Sequence, residues 1–407
     1  MVPPPGRAVQ RPGGAAYAEA VTTLRPTPVP AGPASLEVLP ALRAALDGGP
    51  ALMPYAASAH PPAVPDAAGT LPEGLALAVG TSGSTGTPKL AMLTAAALTA
   101  STHATDERLG GPGQWLLTMP AHHIAGLQVL LRSLLAGTEP VVADLAAGFT
   151  PRAFAAAASA LTGPRRYTSL VPTQLSRLLA DDTAAVALRG FDAVLVGGAA
   201  TPRSLLARAE DAGAPVVTTY GMSETAGGCV YSGLPLSCSR IRADDTGRLH
   251  LGGTTLAHGY LGRPDLTAAA FSTGADGSRW FATDDVGHRG GDGRWHVDGR
   301  VDDLINTGGL KVAPRLVEEA LASRVHGVAE AVVVGVPDPE WGEVVAAALV
   351  LDDGTAAPSV GDLRAALRGA LPDHALPRLV VVMPALPLRG PGKPDRNAIR
   401  SRLAVEA

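Results

Sequence analysis

Seven of the ten residues in the stretch 81–90, TSGSTGTPKL, are Gly, Ser or Thr, and one ammonium, Lys89, stands near its end. A loop of this kind exposes backbone N–H groups and hydroxyls, the equipment for cradling an anion, phosphate above all. The chain carries 33 Lys plus Arg, yet lysine occurs only at 89, 311 and 393. Arginine serves wherever any positive charge suffices, whereas lysine is a compact ammonium on a flexible stem that can reach a single oxygen. Lys89, Lys311 and Lys393 are therefore the first candidates for phosphate chemistry. The commonest nucleotide loop requires Gly-Lys-Ser/Thr in succession. Here Pro88 precedes Lys89 and Leu90 follows it, which argues against a conventional phosphotransferase.

Bulk properties narrow the field further. The 407 residues suggest two or three domains. At 46% hydrophobic and 17% charged, the composition supports a substantial core rather than disorder. A net charge of −4 gives no reason to expect nucleic acid or an anionic membrane as a partner. No apolar run of membrane-spanning length and no apolar signal core occurs, so no membrane insertion and a cytoplasmic location are expected. Cys229 and Cys238 lack partners at metal-ligand spacing and read as free thiols of a reducing compartment. A homodimer is compatible with the sequence.

The elements that must hold the loop follow from periodicity. Residues 1–70 are rich in Pro and Ala, with one helical stretch, SLEVLPALRAALDGG, and are expected to be partly flexible. From Leu75 short apolar strands (LALAVG, WLLTM, PVVAD, RYTSLV, DAVLVGG, PVVTTY) alternate with helical segments. That alternation predicts an α/β domain, a parallel sheet covered by helices. After Gly233 the texture becomes β-rich, with Gly/Asp turns such as GGDG. From about Asp302 a compact α+β module of roughly a hundred residues is expected. The division is thus a domain over 71–301, a hinge at 302–303 and a small mobile domain over 304–407.

Four further stretches stand in order behind the loop: YGMSETAGG (220–228), TDD (283–285), GRVDDLINTGGLKV (299–312) and PGKPDR (391–396). Together with TSGSTGTPK they resemble the motifs of the adenylate-forming enzymes, the superfamily of acyl- and aryl-CoA synthetases and carrier-protein adenylation domains. The resemblance implies ATP, Mg²⁺ and CoA as cofactor and co-substrates and a small carboxylic acid as the other partner. It implies two steps through an acyl-adenylate, in which catalysis is positioning and charge neutralisation.

Residue by residue, it implies that Thr81, Ser82, Gly83, Ser84, Thr85, Gly86, Thr87 and Lys89 cradle the β- and γ-phosphates. Glu224 would hold Mg²⁺, a hard cation suited to carboxylate and phosphate oxygens. Ser223 would bond the α-phosphate or the substrate carboxylate. Tyr220 would stack on adenine beside Gly221, with Gly197 and Gly198 leaving room for the base. Asp285 would accept the ribose hydroxyls, and Arg300 would approach ribose or phosphate. Lys393 would reach the reacting centre. Gly308 and Gly309 would line the CoA tunnel, where Lys311 is a further candidate, and Asp302 and Asp303 would form the hinge of a swinging domain. Asp284 stands where this family usually has Gly, which places the local turn in question.

About 80 residues precede the loop, which is short for the family. This short form, with MPAHHIAGLQVLLRSLLAG and TYGMSETAGGCVYSGLPL, is similar to the o-succinylbenzoate–CoA ligase branch, whose acid carries a second carboxylate. A buried anion needs a positive or hydrogen-bonding partner. His123, Ser169 and Arg132 are the candidates for contact with the acid, with His122 and Arg166 in reserve. Arg132 also fits a solvated helix stripe shared with Gln128. A ligase for another aryl or acyl acid and a non-catalytic nucleotide-binding regulator are the alternative readings.

Overall fold

The computed structural model describes residues 23–64, 71–81, 89–145, 148–352, 354–389 and 393–405. Its first sheet comprises β1 (Leu24–Val29), β2 (Ala51–Ala56), β3 (Leu75–Gly80) and β4 (Leu90–Thr94), in that order. β1, β2 and β3 are parallel, and β4 returns antiparallel to β3. The segment before residue 70, expected as a partly flexible Pro/Ala-rich stretch, therefore contributes two strands. Prolines at 26, 28 and 54 obscured them, since proline removes a ladder donor and reads as an interruption. β1 lies at the sheet edge, where that loss is tolerated.

The second sheet has seven strands in the order β11-β10-β9-β8-β7-β5-β6. These are β5 (Gln114–Leu117), β6 (Val141–Val142), β7 (Arg166–Leu170), β8 (Ala193–Val196), β9 (Val216–Met222), β10 (Gly227–Tyr231) and β11 (Leu234–Pro235). β6, β5, β7, β8 and β9 run parallel, as the alternating pattern predicted. Three helices, α1 (Leu39–Leu46), α2 (Ala95–Leu109) and α3 (Ile124–Ala136), cover one face. One apolar cluster runs through them, joining Leu52, Leu77 and Leu93 of the first sheet to Trp115, Tyr167 and Leu195 of the second. In α2 the buried positions 97, 98, 101, 102, 104 and 105 follow the helical period, so one stripe faces this core. Residues 126–133 of α3 are all buried, which is the mark of a helix enclosed on every side. Helices Pro151–Ser159, Pro172–Leu179, Asp182–Leu188 and Arg203–Asp211 contribute to a second cluster on the other face.

The β-rich section is a five-stranded antiparallel sheet: β12 (Ser239–Ala243), β13 (Arg248–Gly253), β14 (Phe271–Thr273), β15 (Arg279–Arg289) and β16 (Trp295–Arg300). After the single turn Val301–Asp303 comes a second domain built on β17 (Ile305–Thr307), β18 (Leu310–Val312), β19 (Val328–Asp338), β20 (Gly342–Leu351) and β21 (Leu379–Val382). Along β20, residues 345, 347 and 349 pack towards helices Pro314–Arg324 and Val360–Leu367. Residues 344, 346 and 348 pack towards helix Arg396–Leu403. This alternation gives the small domain a core on each face of its sheet.

Candidate active site

The carboxyl ends of the parallel strands gather much of the predicted machinery, the place where open α/β sheets bind ligands. Ser169 lies in β7, Gly197 and Gly198 follow β8, and Tyr220 and Gly221 lie in β9. His122 and His123 precede α3, with His123 at its N-cap. β9 and β10 pack so tightly that a Cβ on Gly221 would stand 2.2 Å from the Gly227 carbonyl oxygen, so only glycine fits.

Ser223 and Glu224 sit in the single turn Ser223–Thr225 that joins β9 to β10. The Ser223 hydroxyl donates to the Gly80 carbonyl at 3.0 Å, which brings this turn against the end of β3, where the Gly/Ser/Thr loop begins. Residues 82–88 of that loop lie outside the described residues; its ends are closed by the Thr81 N–H, which donates to the Lys89 carbonyl at 2.8 Å. Glu224 is 7% exposed. Burial pushes its carboxyl above the usual range, opposed by the Tyr260 hydroxyl, which donates to Oε1 at 2.8 Å, and by the charge of Lys89. Lys89 Nζ lies 5.2 Å from the centre of the Tyr260 ring.

Sequence reasoning missed Tyr260. It belongs to a segment that pairs with β4: the His258 N–H donates to the Met92 carbonyl at 2.7 Å and the Leu261 N–H to Leu90 at 2.9 Å. Nothing in the local pattern of HGYLG announces this long-range pairing. The buried carboxylate so produced suits a hard divalent cation: one anionic protein oxygen, desolvated, beside the loop that would present phosphate oxygens. No cluster of three or more His, Cys, Asp or Glu able to hold a metal occurs among the described residues.

The group around Asp285 is equally compact. The Tyr220 hydroxyl donates to Asp285 Oδ2 at 2.7 Å. Burial raises Asp285 above the carboxylate range, while Tyr220 and then Arg300 pull it back down. Burial, and then Asp285, hold the Tyr220 phenol well above its ordinary value. β15 and β16 pair Asp285 with Arg300 in register, and Arg300 Nη1 stands 3.9 Å from Asp285 Oδ1. The local turn that Asp284 placed in question is absent: Asp284 continues β15 with its side chain 52% exposed, 3.2 Å from Arg248 and 3.4 Å from Arg300. Two guanidiniums thus compensate the extra carboxylate, and Arg248 is a second residue the motifs did not reveal.

Of the acid-pocket candidates, His122 and His123 are brought together, ring centres 4.1 Å apart. Burial and the neighbouring His123 lower His122 to about 4, so it stays neutral at pH 7. Ser169 is buried, and its carbonyl accepts from the Thr118 hydroxyl at 2.5 Å. Arg132 is not a solvated stripe residue. It is 3% exposed, lies 4.8 Å over the Trp115 ring and donates to the Tyr231 hydroxyl at 3.2 Å. Those partners place it between α3 and the second sheet, while its buried Nε has no hydrogen-bond partner. Arg166 opens β7 at the end opposite Leu170 and donates to the Gly163 carbonyl, away from the strand ends that carry the site.

In the small domain, Gly308 and Gly309 form the turn between β17 and β18 with φ of 58° and 79°. A Cβ on Gly308 would meet the Trp341 ring at 2.9 Å. Lys311 is exposed in β18. Asp302 and Asp303 sit in the turn after β16; Asp302 faces Arg300 at 3.6 Å, and Asp303 faces Arg396 at 3.6 Å. Lys393 begins a two-residue strand, Lys393–Pro394, paired with Leu388–Arg389.

Comparison with known proteins accords with this geometry. Residues 18–261 match the family model of AMP-binding enzymes, and residues 316–393 match the AMP-binding enzyme C-terminal domain. A probable 2-succinylbenzoate–CoA ligase of Mycobacterium tuberculosis is 46% identical over 393 residues, covering 94% of this chain and all of that protein. A 2-succinylbenzoate–CoA ligase of Geobacillus kaustophilus is 32% identical over 80% of this chain and 67% of its own. Among solved structures, the amide bond synthetase McbA of Marinactinospora thermotolerans matches with TM-score 0.72 at 28% identity, over 90% of this chain and 78% of that one. The o-succinylbenzoate CoA synthetase MenE of Bacillus subtilis, solved with its acyl-adenylate, matches in fold with TM-score 0.67 at 24% identity, over 89% and 80%. The two family matches, on either side of the turn at 301–303, show that this chain belongs to the AMP-binding enzyme family.

Proposed function

We propose that this protein is an ATP-dependent acid–CoA ligase that converts 2-succinylbenzoate to its CoA thioester. The observation that carries the reading is the 46% identity to a probable 2-succinylbenzoate–CoA ligase across that protein's full length. In the first step a carboxylate oxygen of the acid bonds to the α-phosphorus of ATP as the bond to the β-phosphoryl oxygen breaks, releasing diphosphate. In the second the CoA sulfur, as thiolate, bonds to the acyl carbon and AMP leaves.

The protein's own part is positioning and charge. Tyr220 and Asp285 fix the nucleoside, with the Tyr220 hydroxyl already spent on Asp285, so that the ring and the second carboxylate oxygen remain for ligand. Lys89 and the loop 81–87 hold the outer phosphates. Ser223 orients the α-phosphate or the acid. Lys393 is assigned the reacting centre by its place in the C-terminal Gly-Lys element, and Gly308 and Gly309 the path of the thiol. Glu224, with Tyr260 locking one of its oxygens, would hold Mg²⁺. Bound there, the cation neutralises phosphate charge. The acid would lie beside His123 and Ser169. The small domain would turn at Asp302 and Asp303 between the two steps, and the enzyme would work in the cytoplasm.

The test is mass spectrometry of purified protein with Mg²⁺-ATP, CoA and 2-succinylbenzoate, with benzoate and medium-chain fatty acids in parallel. A thioester from 2-succinylbenzoate alone, with matching AMP, is expected. Thioester from another acid retains the chemistry and removes the substrate assignment. No AMP from any acid favours a nucleotide-binding regulator.

A further inference from the structure

We propose that Gln128 is a positioning residue for the nucleotide site: with Ser101 it clamps the carbonyl of Ala226 and so holds the turn that aims Glu224. The inference rests on the reading of Glu224 as the carboxylate that meets the nucleotide's cation. Ala226 closes the turn Ser223–Thr225 with φ 53° and ψ 36°. Among the described residues only Ala226 and Ser232 are non-glycine residues with positive φ. An L side chain disfavours that conformation, which persists where the surroundings over-determine it and which gathers at functional sites.

Here the surroundings come from two helices behind the site. Gln128 Nε2, on α3, donates to the Ala226 carbonyl at 2.6 Å. Ser101 Oγ, on α2, donates to the same oxygen at 3.2 Å, and Gln128 Nε2 also reaches Ser101 Oγ at 3.5 Å. All of this is buried; Gln128 is 1% exposed. Its own Oε1 has no hydrogen-bond partner. An amide half satisfied in an apolar interior is costly where a leucine would pack. Its donor end therefore marks what the position is for.

The turn has other anchors besides these two helices. The Ala257 N–H donates to the Glu224 carbonyl at 2.8 Å, and the Tyr260 hydroxyl donates to the Glu224 carboxylate. The turn is thus held in front by the segment paired with β4 and behind by Gln128 and Ser101. Gln128→Leu keeps the volume but removes the shorter of the two rear bonds, leaving the Ser101 hydroxyl at 3.2 Å. The left-handed residue can then relax, and Glu224 loses its aim while remaining chemically intact.

The experiment is calorimetry of the full chain titrated with ATP in Mg²⁺ and, separately, with ATP in EDTA. Glu224→Gln serves as the reference, and thermal melts run alongside. Gln128→Leu is expected to weaken binding in Mg²⁺ about tenfold, the scale of lost outer support around a cation site, and to leave binding in EDTA unchanged. Adding Ala226→Gly should recover most of the loss, because glycine adopts positive φ without a clamp. Thr105→Val cuts the bonds of that hydroxyl to Tyr231 and to the Ser101 main-chain carbonyl without touching Ala226 or the Ser101 hydroxyl; it should lower the melting temperature and leave both affinities alone. A Mg²⁺-specific loss in Glu224→Gln with none in Gln128→Leu overturns the inference and keeps the reading of Glu224. Equal losses in Mg²⁺ and EDTA for Gln128→Leu, or no recovery with Ala226→Gly, reduce Gln128 to packing. A Glu224→Gln protein that keeps the full effect of Mg²⁺ overturns the reading of Glu224, and the inference falls with it.

Discussion

Burial of Glu224 makes its charged form costly to folding, and that cost is measurable. Its folded carboxyl titrates above the ordinary value of 4.5 because burial disfavours the anion. A raised carboxyl makes the folded state progressively less stable as pH climbs from the unfolded value through the folded one, and the whole penalty is present above both. Glu224→Gln removes the charge and keeps an oxygen for the Tyr260 hydroxyl. The variant should therefore be more stable than the parent at pH 7 to 8, by about 1.4 kcal/mol for each pKa unit of the shift. The gain should fade as pH falls towards 4.5, while adenylate formation is lost. Urea unfolding across pH reads the first expectation, and diphosphate release reads the second. A stability gain independent of pH would place its origin outside the carboxyl's titration.

At the scale of elements, the site depends on how closely β9 and β10 approach. A Cβ at position 221 would meet backbone, the Gly227 oxygen and the Gly228 Cα at 2.7 Å, rather than a side chain that could swing away. Gly221→Ala should thus spread the hairpin that carries Tyr220 on one strand and leads through Ser223 and Glu224 to the other. Overpacking of this kind costs about 1–3 kcal/mol. Denaturant unfolding should show that loss, and ATP affinity should fall with it. A variant of unchanged stability and affinity would mean that the two strands can part locally.

For the whole molecule, the links between the domains among the described residues include the Arg315 guanidinium, which donates to the Val297 carbonyl, and one ion pair. Arg203 faces Glu319 at 3.8 Å with its side chain 80% exposed, an ion pair of the kind worth little in water. The turn at 301–303 carries carboxylates directed to both sides, Asp302 to Arg300 and Asp303 to Arg396. Arg396 is anchored within the small domain, donating to Glu318 at 2.8 Å. A body joined by a short turn suits the proposed alternation between steps. Lys393→Ala should then cut adenylate formation by orders of magnitude yet leave thioester formation from supplied acyl-adenylate nearly intact. Rapid-quench assays of the two half-reactions decide this; an equal fall in both would remove the swinging-domain assignment.

By itself the sequence determined the class of fold and the order of its motifs. Period-2 and period-3.6 patterns express local geometry, and glycine- and lysine-bearing loops carry their chemistry in residue type. It also marked most of the residues that converge here, from Thr81 and Lys89 to Tyr220, Glu224 and Asp285. Tertiary structure alone decided which neighbours those residues keep. Tyr260 reaches Glu224 only because a distant segment pairs with β4, and Gln128 reaches Ala226 across 98 positions of chain. Arg132 shared a helix face with Gln128 in the sequence and read as solvated; enclosure of α3 on every side buried both. Periodicity reports one face of an element at a time, whereas burial depends on what folds back over the other.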